Sequence, residues 1–74
     1  GTNKAIFEYG RLLKLTHAQI AAALGVSPFT VMSWARNVES AAYRVAPHRH
    51  VLLIGLLYAT ANHKTSAKFP HSEL

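Results

Sequence analysis

The polar side chains of this chain are of the kinds that make hydrogen bonds rather than the kinds that break covalent ones. Aspartate is absent, and the three glutamates, Glu8, Glu39 and Glu73, are scattered. No nucleophile stands in a constellation with a base, and no glycine-rich loop offers to cradle a phosphate. Cysteine is absent too, which removes disulfides and thiolate metal sites. Among the five histidines, His48 and His50 are two apart and point away from each other on a helix, while His63 and His71 fall toward the C-terminus. None is paired with another at helical i, i+4 spacing, and no acidic ligand accompanies them. The expectation is a protein that is not an enzyme and that takes no cofactor and no metal. What remains is a dense run of recognition chemistry: Thr16, His17, Gln19, Ser27, Phe29, Thr30, Ser33 and Arg36, all within about two helices' length.

Two short helices are needed to hold that run. Thr16 can cap a helix, and Gln19 three residues on can reach back to it in a capping box. Ser27 is a good N-cap, and Pro28 suits the first helical position, where its missing N–H costs nothing. Between them Gly25 sits where the first helix must stop, in a conformation that glycine adopts without a Cβ penalty. Ile20, Ala21 and Leu24 share one face of the first helix, Val31 and Trp34 one face of the second, and Val26 can plug the gap. Ala21 lies where the second helix must cross closely. The spacing predicts helices over about Thr16–Leu24 and Pro28–Arg36, with Asn37 as a left-handed stop. This is the layout of a DNA-binding helix-turn-helix, or alternatively of an ordinary helical hairpin in a small bundle. Phe29 lies off the face of Val31 and Trp34, so it is expected in solvent, where packing on thymine methyls would give it a use; the alternative is packing against the preceding helix or the connector. No Gln, Asn or Arg stands in the first turn of that helix, so bidentate base readout falls to Arg36 or Arg44, or gives way to methyl contact and DNA shape.

From Gly10 to Asn37 the chain resembles the lambda-repressor/Cro-like (XRE-type) helix-turn-helix family. Members often read Leu-Thr-Gln, an Ala-rich helix, Leu-Gly-Val-Ser, a variable stretch, Val and Trp; here stand Leu15-Thr16-His17, Ile20-Ala21, Leu24-Gly25-Val26-Ser27, Val31 and Trp34. The chain departs at His17, where many members have Gln, and at Ala35-Arg36-Asn37, where they have Glu, a variable residue and Gly. The resemblance implies an all-α, four-to-five-helix fold in which the start of the third helix enters the major groove. By position, Ser27, Pro28, Phe29, Thr30, Ser33 and Arg36 would contact bases. His17, Gln19, Lys14, Asn37 and Arg44 would contact phosphates, although Gln19 has an equal claim as a purely capping residue. The implied function is that of a Cro-type repressor on a palindromic operator, a homodimer with recognition helices about 34 Å apart. Small members of the family are frequently phage or mobile-element regulators.

Composition fits that reading without demanding it. Eight Lys plus Arg against three Glu leave a net charge of +5, which suits a polyanion. The 74 residues make one domain, and half are hydrophobic, so a core can form, though a chain this short is marginal alone. A first helix is expected over about Asn3–Leu13, with Ile6, Phe7, Tyr9, Leu12 and Leu13 as its core face and Gly10 as a weak point. Val38–Ala46 reads as a connector in which Ala41-Ala42-Tyr43 can make a helical turn. Pro47 opens a fourth helix to about Ala61 that is apolar on every face, and such a helix should be buried on every face. One side can cover the other helices and the other a second copy, with Leu52, Gly55, Leu56 and Tyr58 as the expected dimer contacts; alternatively Gly55 only fits the first helix. Residues 62–74 read as a flexible basic tail, with Phe69 able to dock. No secretory pattern is present, and the apolar run Val51 to Ala59 falls short of the about 18–20 residues that span a bilayer, so a cytoplasmic protein of a bacterial cell or phage-infected host is expected. Two other functions stay open: a protein-interaction module that keeps the fold, and the DNA-targeting domain of a larger recombinase or transposase.

Overall fold

The computed structural model describes residues 1–67, with side chains as far as Asn62. The described residues form four α-helices and no strand: α1 (Thr2–Leu12), α2 (His17–Leu24), α3 (Pro28–Ala35) and α4 (His48–Ala67). No single helix among them is long and apolar enough to cross a membrane.

The central pair is set by local signals. The Thr16 hydroxyl accepts from the Gln19 N–H at 3.1 Å, and the Gln19 side-chain carbonyl accepts from the Thr16 N–H at 2.8 Å, which completes the capping box. Ser27 caps α3 by accepting from the Phe29 N–H at 3.0 Å, with Pro28 behind it. Gly25 is left-handed, at φ 72°, and the Val26 N–H donates to the Ala21 carbonyl at 3.0 Å, closing a Schellman turn. The chain leaves α2 and enters α3 at a bend of 118°.

The end of α1 repeats that turn with a residue that carries no signal for it. Lys14 stands at φ 60°, the one left-handed non-glycine among the described residues. The Leu15 N–H donates to the Gly10 carbonyl at 2.9 Å and the Lys14 N–H to the Arg11 carbonyl at 3.0 Å. The innermost line of α1 is Asn3, Ile6 and Gly10, at helical spacing. Phe7, Tyr9 and Leu13 flank it half-buried, whereas Leu12, expected in the core, is 42% exposed on the opposite side. Gly10 is no defect: a Cβ there would meet Ile20 Cδ1 at 2.5 Å, so its bare backbone lets α2 seat on α1.

The core joins Ile6, Ile20, Ala21, Leu24, Val31, Trp34, Ala46 and Ile54, so every helix contributes. Asn3 fastens it. Its side-chain amide donates to the carbonyls of Trp34 (3.1 Å) and Arg44 (2.8 Å), and its carbonyl accepts from the Ala46 N–H at 2.7 Å. One buried side chain thus pins the end of α3 and the connector to α1. The connector carries turns but no helix: Asn37 is not left-handed, and α3 ends with Arg36 extended at φ −72°, ψ 162°. Asn37 stops the chain another way, accepting on its side-chain oxygen from the Glu39 N–H at 2.8 Å, a local turn that asparagine favours.

α4 packs on α1 and α2 along one stripe. Ile54 is fully buried, and Gly55 faces Tyr9, whose ring atoms would lie 3.5 Å from a Cβ there. Tyr58 joins the same seam, its ring 5.4 Å from that of Tyr9. Gly55 and Tyr58, expected at a dimer contact, therefore face α1. Leu52 and Leu56 are 63% and 62% exposed, with Leu53 beside them partly so. The helix continues to Ala67, beyond the expected start of a tail, and the expected docking of Phe69 lies outside the described residues.

Candidate functional site

The outward face of α3 is the place to look, because its opposite face is spent on the core. Val31 and Trp34 are 0% and 4% exposed and point inward. Phe29, Met32 and Arg36 follow one another at spacings of three and four, so they line the outer face together. Phe29 is 81% exposed and Met32 46%; Arg36 is exposed at the end of the helix. Ser27 and Pro28 are exposed ahead of them. Thr30 and Ser33, expected in solvent, are half-buried, and the Ser33 hydroxyl donates back to the Thr30 carbonyl at 2.6 Å. The Ser27 hydroxyl is already engaged as a cap. Arg36 is the one charged side chain of this face, and its donors are free of the helix itself.

Around the end of α3 a shallow groove is lined by His17, Met32, Ala35, Arg36, Asn37 and Ser40. It brings together two of the expected phosphate ligands and one expected base ligand from three segments of chain. His17 is held by the Phe7 ring, 5.1 Å away between centroids. A second groove shares His17, Ala35 and Arg36 and extends to Lys4, Val38 and Tyr43. Lys4 and Ser40 were not legible as site residues, since one lies in the first helix and the other in the connector, and only folding carries them to α3.

The remaining expected ligands are more dispersed. Lys14 is exposed at the left-handed turn after α1, away from both grooves. Gln19 is exposed, with its side-chain carbonyl engaged by the cap. Arg44 is exposed, but its guanidinium donates to the carbonyls of Ala41 (2.9 Å) and Tyr43 (2.8 Å), which shapes its own loop. Its backbone N–H also donates to the Ser33 carbonyl at 3.1 Å, tying the connector to α3.

Charge on this side is mainly positive, with Glu39, flanked by the groove residues Val38 and Ser40, as the exception. No acidic residue stands between Tyr9 and Val38, and Glu8, just before, is neutralised by the Arg11 guanidinium, which holds its carboxyl below the ordinary range. Glu39 is the single acid of the connector.

His50 belongs elsewhere. It is buried, its ring 5.4 Å from that of Trp34. Burial, reinforced by neighbouring Arg49, pushes its pKa below the ordinary histidine value. His48 is exposed on the other side of the same turn. Among the described residues, no three His, Cys, Asp or Glu side chains converge.

Comparison with models of known families, with curated proteins and with solved structures returned no match. The functional reading therefore rests on this geometry.

Proposed function

We propose that the protein is a sequence-specific, double-stranded-DNA-binding transcriptional regulator, a Cro-type repressor with a lambda-repressor-like domain that acts as a homodimer on a palindromic operator. The observation that carries this reading is the pairing of α2 and α3: a bend of 118°, fixed by two side-chain caps and Gly25, that leaves one face of α3 outside. Helix-turn-helix pairs cross at about 90–120°, and their second helix enters the major groove. The surroundings agree in sign. His17, Arg36, Asn37 and Ser40 gather at one end of α3 and Lys4 stands nearby, a set suited to phosphate oxygens rather than to bases. Dimerisation is supported by the exposed leucines of α4, an apolar strip that water-facing helices seldom carry unless a partner covers it.

The test is selection of sites from a random double-stranded DNA pool by the purified chain. An enriched inverted repeat supports a sequence-specific dimer. Absence of enrichment, with no salt-sensitive affinity, rejects DNA recognition and turns attention to protein partners. On a selected site, Arg36→Ala should weaken binding, and if Arg36 touches phosphate it should lower the salt slope by about 1, as loss of one phosphate contact does.

A further inference from the structure

We propose that α3 reads DNA through the C5-methyl groups of pyrimidines, with Phe29 and Met32 as the two reading residues. The inference rests on the DNA-binding role given above and names what that surface recognises. Both side chains stand outside, at i and i+3 on one face, opposite the buried Val31 and Trp34. Neither belongs to the buried core, and the exposure of Phe29 in particular has no structural use.

The same face is poor in hydrogen-bonding groups. Pro28 has no N–H, the Ser27 hydroxyl caps the Phe29 N–H, and the Ser33 hydroxyl gives its proton to the Thr30 carbonyl. Thr30 is half-buried. A helix so equipped cannot read base edges in its first turns by bidentate hydrogen bonds. The apolar feature that the major groove offers is the methyl on C5 of thymine, and 5-methylcytosine presents the same group at the same place. The occupant is a polyanion because basic side chains outnumber acidic ones around the face: Arg36 follows Met32 on it, Lys4 stands in the adjoining groove, and Glu39 is the one acid of α2, α3 and the connector.

The experiment starts from the site selected by the full chain. Each thymine is replaced in turn by deoxyuridine, which removes only the methyl. Binding should weaken about fourfold for each methyl that Phe29 or Met32 covers, the factor expected from burying one such carbon. Phe29→Ala and Met32→Ala should each lose the response at one position and keep it at the other, with unchanged helical circular dichroism, since both side chains are outside the core. Replacing a responsive thymine·adenine pair by 5-methylcytosine·guanine identifies the source. Retained binding there, with loss for unmodified cytosine, means that the methyl alone is read, and loss for both means that thymine is the natural ligand; either supports the proposal. Equal affinity for thymine and deoxyuridine sites overturns methyl reading while leaving DNA recognition standing. Failure to select any site, with no salt-sensitive affinity, overturns both.

Discussion

At the scale of single residues, Asn3 does the most for the fold. Its three hydrogen bonds satisfy the carbonyls of Trp34 and Arg44 and the N–H of Ala46, the first and last buried and the Arg44 bond partly so. Asn3→Ala should cost about 2–3 kcal/mol, because it strands buried backbone groups as well as deleting bonds. Urea titration followed by circular dichroism measures this directly, and a loss under about 0.5 kcal/mol contradicts the role. His50 makes stability depend on pH. Its folded pKa lies below the ordinary value of about 6.5 because burial disfavours the charged ring. The unfolded chain therefore takes up a proton first, so stability is full above about pH 6.5 and declines as the pH falls toward the folded value. His50→Phe should flatten the change in urea midpoint between pH 7.5 and 5.0, a window that stays clear of the Glu8 carboxyl, which Arg11 holds low. Neither residue was legible as a core member. An asparagine and a histidine read as polar surface until their distant neighbours are known, the carbonyls and N–H that Asn3 satisfies and the Trp34 ring that covers His50.

Elements were legible to the extent that their signals are local. Thr16 with Gln19, Ser27 with Pro28, and Gly25 act within four residues of themselves, and the structure has all of them in the expected roles. The failures share a cause. Asn37 favours both left-handed backbone and side-chain-capped turns, and sequence does not say which of the two a given site uses. Lys14 has no turn preference at all, yet it stands left-handed in a turn closed by the Leu15 N–H on the Gly10 carbonyl. Strain at that position predicts a gain on substitution. Lys14→Gly should stabilise the fold by up to about 1 kcal/mol, since glycine takes φ 60° without a Cβ penalty. If Lys14 also serves phosphate, the same variant binds DNA more weakly, so thermal melting and a salt-dependent binding isotherm separate the two effects. Gly10 shows the same limit from the other side: it looked like a weak point and is the place where Ile20 comes close, whereas Gly55 fits against Tyr9 of the first helix, the alternative to a dimer contact that its position already offered.

For the whole molecule, the decisive property is how α4 divides its apolar surface. A helix apolar all round was expected to be buried all round, and within one chain only one side is covered, the stripe that runs from His50 and Val51 through Ile54 and Gly55 to Tyr58. Leu52 and Leu56 lie a turn apart on the uncovered side, so Leu56→Glu should leave the fold intact and shift the chain from dimer to monomer in sedimentation velocity. A chain that is monomeric before the substitution rules out this face as the dimer contact. Recognition of an inverted repeat should fall with it, because a monomer reaches one half-site only. The division of labour within α3 has a different consequence. Its two faces serve separate ends, Val31 and Trp34 holding the fold while Phe29, Met32 and Arg36 lie outside the core. Changes at those three positions should therefore carry little stability penalty. On the proposed DNA-reading role, such a chain can drift from one target to another by single steps, each intermediate still folded, and it is a scaffold on which new specificities can be screened by randomising a few codons.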